Sequence, residues 1–318
     1  MAVRTQLCEL LGIEHPIILG GMMGVSDGVL SAAVSEAGGL GTISAATFGA
    51  EGTKREILKL KERTQKPFSV NLPIFHPEVP KIVDALLSTE VKIVTTAAGS
   101  PEKFTKALKD KGITVLHVVS SVRTALKAEA AGVDVVVAEG VDSGGKVSPD
   151  EIPTISLIPQ VVDAVKIPVV AAGGLADGRG LLAALALGAV GAQFGTLFIA
   201  TDEAPAHPNW KKVLVGAGDA ATGVACRKSS PTRLIRNDFF MELDSQDAPG
   251  KKPMDFMMIQ GQGMARIPSD SEGTKGNYTA GAGAGLIHKI LPTAEIIRRL
   301  VADTETGIER LSGFRRLT

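Results

Sequence analysis

The residues with the clearest chemical implication are two glycine sites. Gly173-Gly174 follows the apolar run Val169-Val170-Ala171-Ala172 and precedes a helical stretch from about Asp177. Gly195-Thr196 follows a second apolar run, Ala189–Phe194. A phosphate placed at either would meet backbone N–H groups and a helix N-terminus, with glycine permitting close approach. Tight turns would use the same residues, but two such sites after successive strands favour phosphate binding. His117 lies near the end of another apolar run, Thr114–Val119, and is a candidate to face the same site. A satisfied, partly buried histidine is the alternative. The five histidines, at 15, 76, 117, 207 and 288, show no HxH, HxxxH or His/carboxylate spacing, so no metal is expected. Cys8 and Cys226 form no CxxC, neither ends a strand, and GxSxG is absent, which leaves nucleophilic hydrolase chemistry unsupported. The run Gly281-Ala-Gly283-Ala-Gly285 is not GxGxxG and follows no strand. It reads as a close approach of backbone to a ligand, or as a flexible helix entry.

Such residues need a scaffold that brings strand ends together. Eight apolar, β-rich runs occur before residue 200: Pro16–Leu19, Leu40–Ser44, Phe68–Leu72, Lys92–Thr96, Thr114–Val119, Val133–Ala138, Pro168–Ala172 and Ala189–Phe194. Amphipathic stretches such as Thr53–Arg63, Pro101–Lys111, Ser121–Ala131 and Asp177–Leu187 separate them. Continuous apolar strands alternating with helices predict an α/β fold, a (β/α)8 TIM barrel, with a doubly wound open sheet as runner-up. After Thr201 the periodicity fades. Residues 202–275 predict a helical insertion or lid beside the barrel mouth, carrying the basic segment Arg227–Arg236 and Met254, Met257, Met258 and Met264. Residues 1–201 plus 276–318 would form the barrel, ending in a helix from Gly285 to about Leu311.

Composition narrows the function classes. The 318 residues are 44% hydrophobic and 21% charged, which excludes disorder as the main state. Lys plus Arg equals Asp plus Glu at 34 each, which favours neither nucleic acid nor an anionic membrane as partner. The longest apolar stretch, Leu181–Ala189, is about half a membrane span. Charges occupy the N-terminal region where a signal peptide needs its apolar core. A cytoplasmic location, a small-molecule substrate and a homodimer as one assembly are the expectations.

Several motifs, in one order along essentially the whole chain, resemble the nitronate monooxygenase family, formerly called 2-nitropropane dioxygenases. They are Gly20-Gly21-Met22, Ala37-Gly38-Gly39-Leu40-Gly41, Ala138-Glu139-Gly140-(x)2-Ser143-Gly144-Gly145, Ala172-Gly173-Gly174-Leu175-Ala176-Asp177-Gly178, Phe194-Gly195-Thr196-(x)3-Ala200-Thr201, Ala206-His207-Pro208 and Arg233-(x)2-Arg236-Asn237. That family also contains NADH:quinone reductases and FMN-type enoyl-acyl-carrier-protein reductases. The resemblance implies non-covalent FMN, with its phosphate on Gly173, Gly174, Gly195 and Thr196. Gly21, Met22 and Met23 would run along the isoalloxazine, Asn71 would sit near its polar edge, and Gly144 would belong to the cofactor site. NAD(P)H is the reductant in part of the family.

Two positions depart from the family pattern. Where the family motif after strand six ends in Gly-Gly-His, with histidine as proposed base, this chain has Lys146. Where the family often has Ala-Gly-Gln, it has Ala280-Gly281-Ala282. An unshifted lysine is a fixed cation at neutral pH and not a base. It would hold an anionic substrate or steady charge on reduced flavin, unless it is a solvated loop lysine. The implied activity is FMN-dependent oxidation of alkyl nitronates with oxygen, with Lys146 and His117 as candidate catalytic residues. The alternatives are an NAD(P)H-dependent reductase of quinones or enoyl thioesters, and a non-catalytic flavin-binding protein.

Overall fold

The computed structural model describes residues 3–248 and 253–314. Eight parallel strands form one sheet: β1 (Ile17–Leu19), β2 (Gly41–Ser44), β3 (Phe68–Pro73), β4 (Ile93–Ala97), β5 (Thr114–Val119), β6 (Val135–Glu139), β8 (Val169–Ala172) and β9 (Gly191–Phe194). Between β6 and β8 in sequence lies a two-residue strand, β7 (Gly145–Lys146), outside this sheet. The sheet order β1-β9-β8-β6-β5-β4-β3-β2 is closed by a parallel bridge between Ile18 and Leu40. There Leu40 N–H donates to Ile17 O and Leu19 N–H to Leu40 O, both at 2.9 Å. The result is the expected (β/α)8 TIM barrel.

Side-chain alternation along each strand divides the apolar core into two layers. Ile18, Leu40, Ile93, Leu116, Val135, Val137 and Val170 fill the barrel, and Leu7, Cys8 and Leu11 of the first helix (Gln6–Leu11) pack with them. The intervening residues, among them Ile17, Val94, Val115, Val119, Val136 and Val169, pack outward against the helices. Helix starts are chemically marked. Asp27 accepts from the N–H groups of Val29 and Leu30, Asp177 from those of Arg179 and Gly180, and Ser121 forms a capping box with Thr124.

Residues 202–275 depart from the expectation of a purely helical insertion. Helices Pro208–Val215, Asp238–Ser245 and Pro253–Arg266 are joined by two antiparallel strands, β10 (Thr222–Ala225) and β11 (Thr232–Ile235). β11 pairs in turn with β7, placing Thr232 opposite Lys146. The physical reason is a short β-type alternation: Ala225 and Leu234 pack with Phe239, Leu243 and Phe256, while Ile235 joins the main core. The basic segment is therefore partly strand. The C-terminal helix also begins later than expected. Ala282–Leu286 is a single 3-10 segment, and the helix proper spans Thr293–Ser312, directly after Pro292. Proline disfavours helical geometry in the residue before it, so the helix starts after that point. It packs so closely on the helix Gly178–Ala186 that a Cβ on Gly178 would lie 2.6 Å from Leu300 O. Among the described residues, no helix is long and apolar enough to cross a membrane.

Candidate active site

The C-terminal ends of the barrel strands surround a cleft of about 660 Å3, including its open mouth. Gly20, Gly21 and Met22 come from the loop after β1, Glu139, Ser143 and Gly144 from the end of β6 and its loop, and Gly173, Gly174 and Leu175 from the loop after β8. Gln193 of β9 with Gly195 and Thr196 beyond it complete the barrel's share. Thr279, Gly281 and Gly283 enter from the segment ahead of the C-terminal helix.

Glycine is needed here for two separate reasons. Gly173 and Gly174 have φ of 105° and 71°, the left-handed region that side chains rarely adopt. Elsewhere the reason is contact: a Cβ on Gly144 would lie 2.7 Å from the backbone at Ala280–Gly281, and one on Gly283 would lie 2.6 Å from Gly174 O. The Gly281–Gly285 run thus serves as a wall packed against the protein's own backbone at Asp142, Gly144 and Gly174. Thr196 Oγ1 accepts from Gly281 N–H at 2.9 Å and ties that wall to the start of the short helix Thr196–Ile199. Thr154 Oγ1 donates to Gly173 O at 3.1 Å, and Asp142 accepts from Thr154 N–H at 2.7 Å, which anchors the turn after β8.

Seven residues assigned to the cofactor from sequence line this one cleft: Gly21, Met22, Gly144, Gly173, Gly174, Gly195 and Thr196. Asn71 lies beneath it. It is buried, and a Cβ on Gly21 would come within 2.4 Å of the Asn71 side chain, so the loop after β1 rests on it. Met23 is 45% exposed and is not part of the cleft lining. Met264 packs beside that loop, its Cε 2.8 Å from where a Cβ on Gly24 would stand. Met258 is exposed, and the side chains of Met254 and Met257 lie outside the described residues.

The two candidate catalytic residues are placed differently from each other. His117 shares the outward face of β5 with Val115 and Val119, is 3% exposed, and has its Nδ1 2.7 Å from Thr96 Oγ1. Burial lowers its pKa to about 4. The structure therefore overturns the expectation that His117 faces the cleft. Ending an apolar strand placed it near the mouth, but alternation turned it toward the helices. Lys146 is exposed at the rim, with its ammonium 5.4 Å from the centre of the Phe75 ring. Partial burial lowers its pKa from the usual lysine value. Among the described residues, no carboxylate forms an ion pair with it.

Sequence reading missed the most perturbed group in the cleft. Glu139 ends β6, and enclosure by protein raises its carboxyl to about 7. The nearby Ser143 hydroxyl offsets the rise in part. Ser143 Oγ is itself buried and without an ordinary hydrogen bond. The available signal is its position at the C-terminal end of an apolar strand. Gln193, also missed, carried the weaker signal of a polar residue inside an apolar strand.

A parallel barrel whose strand ends surround a glycine-walled cleft carries its candidate active site at that mouth. A family model described as nitronate monooxygenase matches residues 4–83 and 75–303. A curated protein of Staphylococcus saprophyticus named "Probable nitronate monooxygenase" is 34% identical over 294 residues, covering 78% of this chain and 82% of that one. The structure of FabK from Thermotoga maritima is similar at a TM-score of 0.92 and 38% identity, covering 98% of this chain and 100% of that one. A third relative, (3aS,4S,5R,7aS)-5-hydroxy-7a-methyl-1-oxo-octahydro-1H-indene-4-carboxyl-CoA dehydrogenase of Rhodococcus jostii, is 36% identical over 243 residues, covering 76% of this chain and 68% of that one. The chain belongs to the nitronate monooxygenase family. It is a flavin-dependent oxidoreductase of the FMN type.

Proposed function

We propose that the chain holds FMN in the glycine-walled cleft and oxidises alkyl nitronates with oxygen. The cleft suits the cofactor. The left-handed turn at Gly173-Gly174 and the start of the helix at Thr196 offer backbone N–H groups to a phosphate, and no Cβ intrudes at the glycines. The Ser143 hydroxyl, beside Glu139, and the Gln193 amide suit a hydroxylated chain. Bound FMN would supply a two-electron acceptor. Everything else falls to the protein's own groups.

The observation that carries the nitronate reading is Lys146, a cation at the rim without a carboxylate partner among the described residues. A nitronate is already deprotonated and carries negative charge, so it needs attraction and not a base. Lys146 draws the anion, and the exposed Phe75 beside it offers apolar surface at the rim. The insertion, residues 202–275, acts as a cover through Met264 beside the loop after β1.

The second reading, oxidation or reduction of a thioester with NAD(P)H as electron donor or its oxidised form as acceptor, draws support from the carboxyl-CoA dehydrogenase relative. Anaerobic mixing of the FMN-loaded protein with ethyl nitronate, NADH and NADPH in turn separates the readings. Flavin bleaching by the nitronate alone supports the first. Rapid bleaching by either nicotinamide supports the second and overturns the first.

A further inference from the structure

We propose that Glu139 gates cofactor retention, so that the cleft holds FMN firmly only while this carboxyl carries its proton. The inference rests on the FMN reading above and adds a residue that reading does not use.

The case begins with enclosure. Glu139 stands at the C-terminal end of β6 and lines the same cleft as Gly173, Gly174 and Thr196. Among the described residues, no Lys, Arg or His forms an ion pair with it. Ser143 is the group beside it, 7% exposed and with its hydroxyl otherwise unpartnered. A half-buried carboxyl facing a cleft with no cation beside it resists ionisation, because charge in a partly desolvated site is costly. The surroundings offer little to change this. On its own loop, Asp142 is committed to Thr154 N–H and Lys146 leans on Phe75. From β11, Arg233 donates to Val141 O. On β5, His117 is neutral and faces the helices. β8 and β9 and the turns after them contribute Ala172, Gly173, Gly174, Gln193, Gly195 and Thr196, none of them charged.

FMN brings a phosphate that is close to dianionic above pH ~6. An ionised Glu139 in the same cleft opposes it, whereas the acid form is neutral and can donate a hydrogen bond into the cavity. Binding FMN therefore raises the carboxyl's proton affinity further, and by linkage the protein binds FMN more weakly as pH rises past the free value of about 7.

The test is flavin release. Full-length FMN-loaded protein is diluted at pH 6.0 and at pH 8.5, and released flavin is read by its fluorescence. The wild-type Kd should rise about tenfold more between these values than the Kd of Glu139→Gln, which keeps the shape but cannot ionise. The same comparison with riboflavin, which lacks the phosphate, should show a smaller difference. Equal pH dependence of wild type and Glu139→Gln overturns the gate while leaving the FMN site intact. Failure of wild type to retain FMN at pH 6.0 overturns the FMN reading and the gate together. Should Glu139→Gln not fold, equal pH dependence of FMN and riboflavin release in wild type overturns the gate.

Discussion

The Lys146 ammonium lies 5.4 Å from the centre of the Phe75 ring, linking the loop after β6 to the loop after β3 across the rim of the barrel. A cation over an aromatic face contributes about 0.5–1 kcal/mol at an exposed site. It also fixes where the charge sits without neutralising it, as a carboxylate partner would.

Lys146→Ala should therefore raise the KM for ethyl nitronate about five- to thirtyfold, corresponding to about 1–2 kcal/mol at a solvent-screened rim, with kcat little changed. Wild type should favour the nitronate strongly over the neutral nitroalkane, because a cationic lysine takes no proton. Lys146→His should raise neutral nitroalkane turnover. Steady-state kinetics with both forms checks this, and equal turnover of the two by wild type contradicts it.

Gly174→Leu should lose FMN. The φ of 71° costs a side chain about 1–2 kcal/mol, and its Cβ would lie 2.9 Å from Asp142 Cβ. Flavin-to-protein absorbance should fall from about one FMN per chain to a small fraction, with the far-ultraviolet spectrum preserved. Full occupancy would remove the phosphate from this turn.

Glu139 and His117 should tilt stability in opposite directions. Glu139 is raised from 4.5 to about 7, so the folded chain keeps a proton the unfolded chain releases, and stability falls as pH rises through that window. His117 is lowered from 6.5 to about 4, so the unfolded chain holds the extra proton, and stability falls as pH drops through its window. Each effect amounts to about 3 kcal/mol in full, and the slopes nearly cancel where the windows overlap. Denaturant melts of flavin-stripped Glu139→Gln should gain stability with rising pH, whereas His117→Gln should lose it. FMN-loaded His117→Gln should also keep kcat/KM within about twofold, since the side chain faces the helices.

The insertion should be the first segment cut by limited proteolysis of the FMN-free protein, with FMN or substrate protecting it. Arg227 pairs with both oxygens of Glu151 at 2.8 and 2.9 Å and ties the turn after β10 to the barrel loop. Arg227→Ala should speed cutting about two- to fivefold, the scale of one exposed ion pair. First cuts within the βα units would contradict a cover.

How much was legible in sequence follows from which interactions are local. Apolar runs such as Phe68–Leu72 and Thr114–Val119 announce buried parallel strands because no face of them meets water. Glycine followed by Asp177 announces a turn and a capped helix for equally local reasons, so the cleft's glycine wall could be read directly. Apolar spacing alone starts the C-terminal helix too early, because Pro292 and not hydrophobic period sets its boundary.

Which way a side chain turns, and what surrounds it, belongs to the tertiary structure. His117 and Glu139 both stand near the C-terminal ends of neighbouring strands, yet alternation turns one outward to Thr96 while the other lines the cleft. The strand pairing of Thr232 with Lys146 joins residues 86 positions apart, and it took a folded barrel to bring β11 beside the loop after β6. The sequence by itself determined the barrel, its glycine-lined mouth and the family. Only the closed sheet decided which titratable groups share that mouth, because burial and charge separation are properties of the packed chain and not of spacing along it.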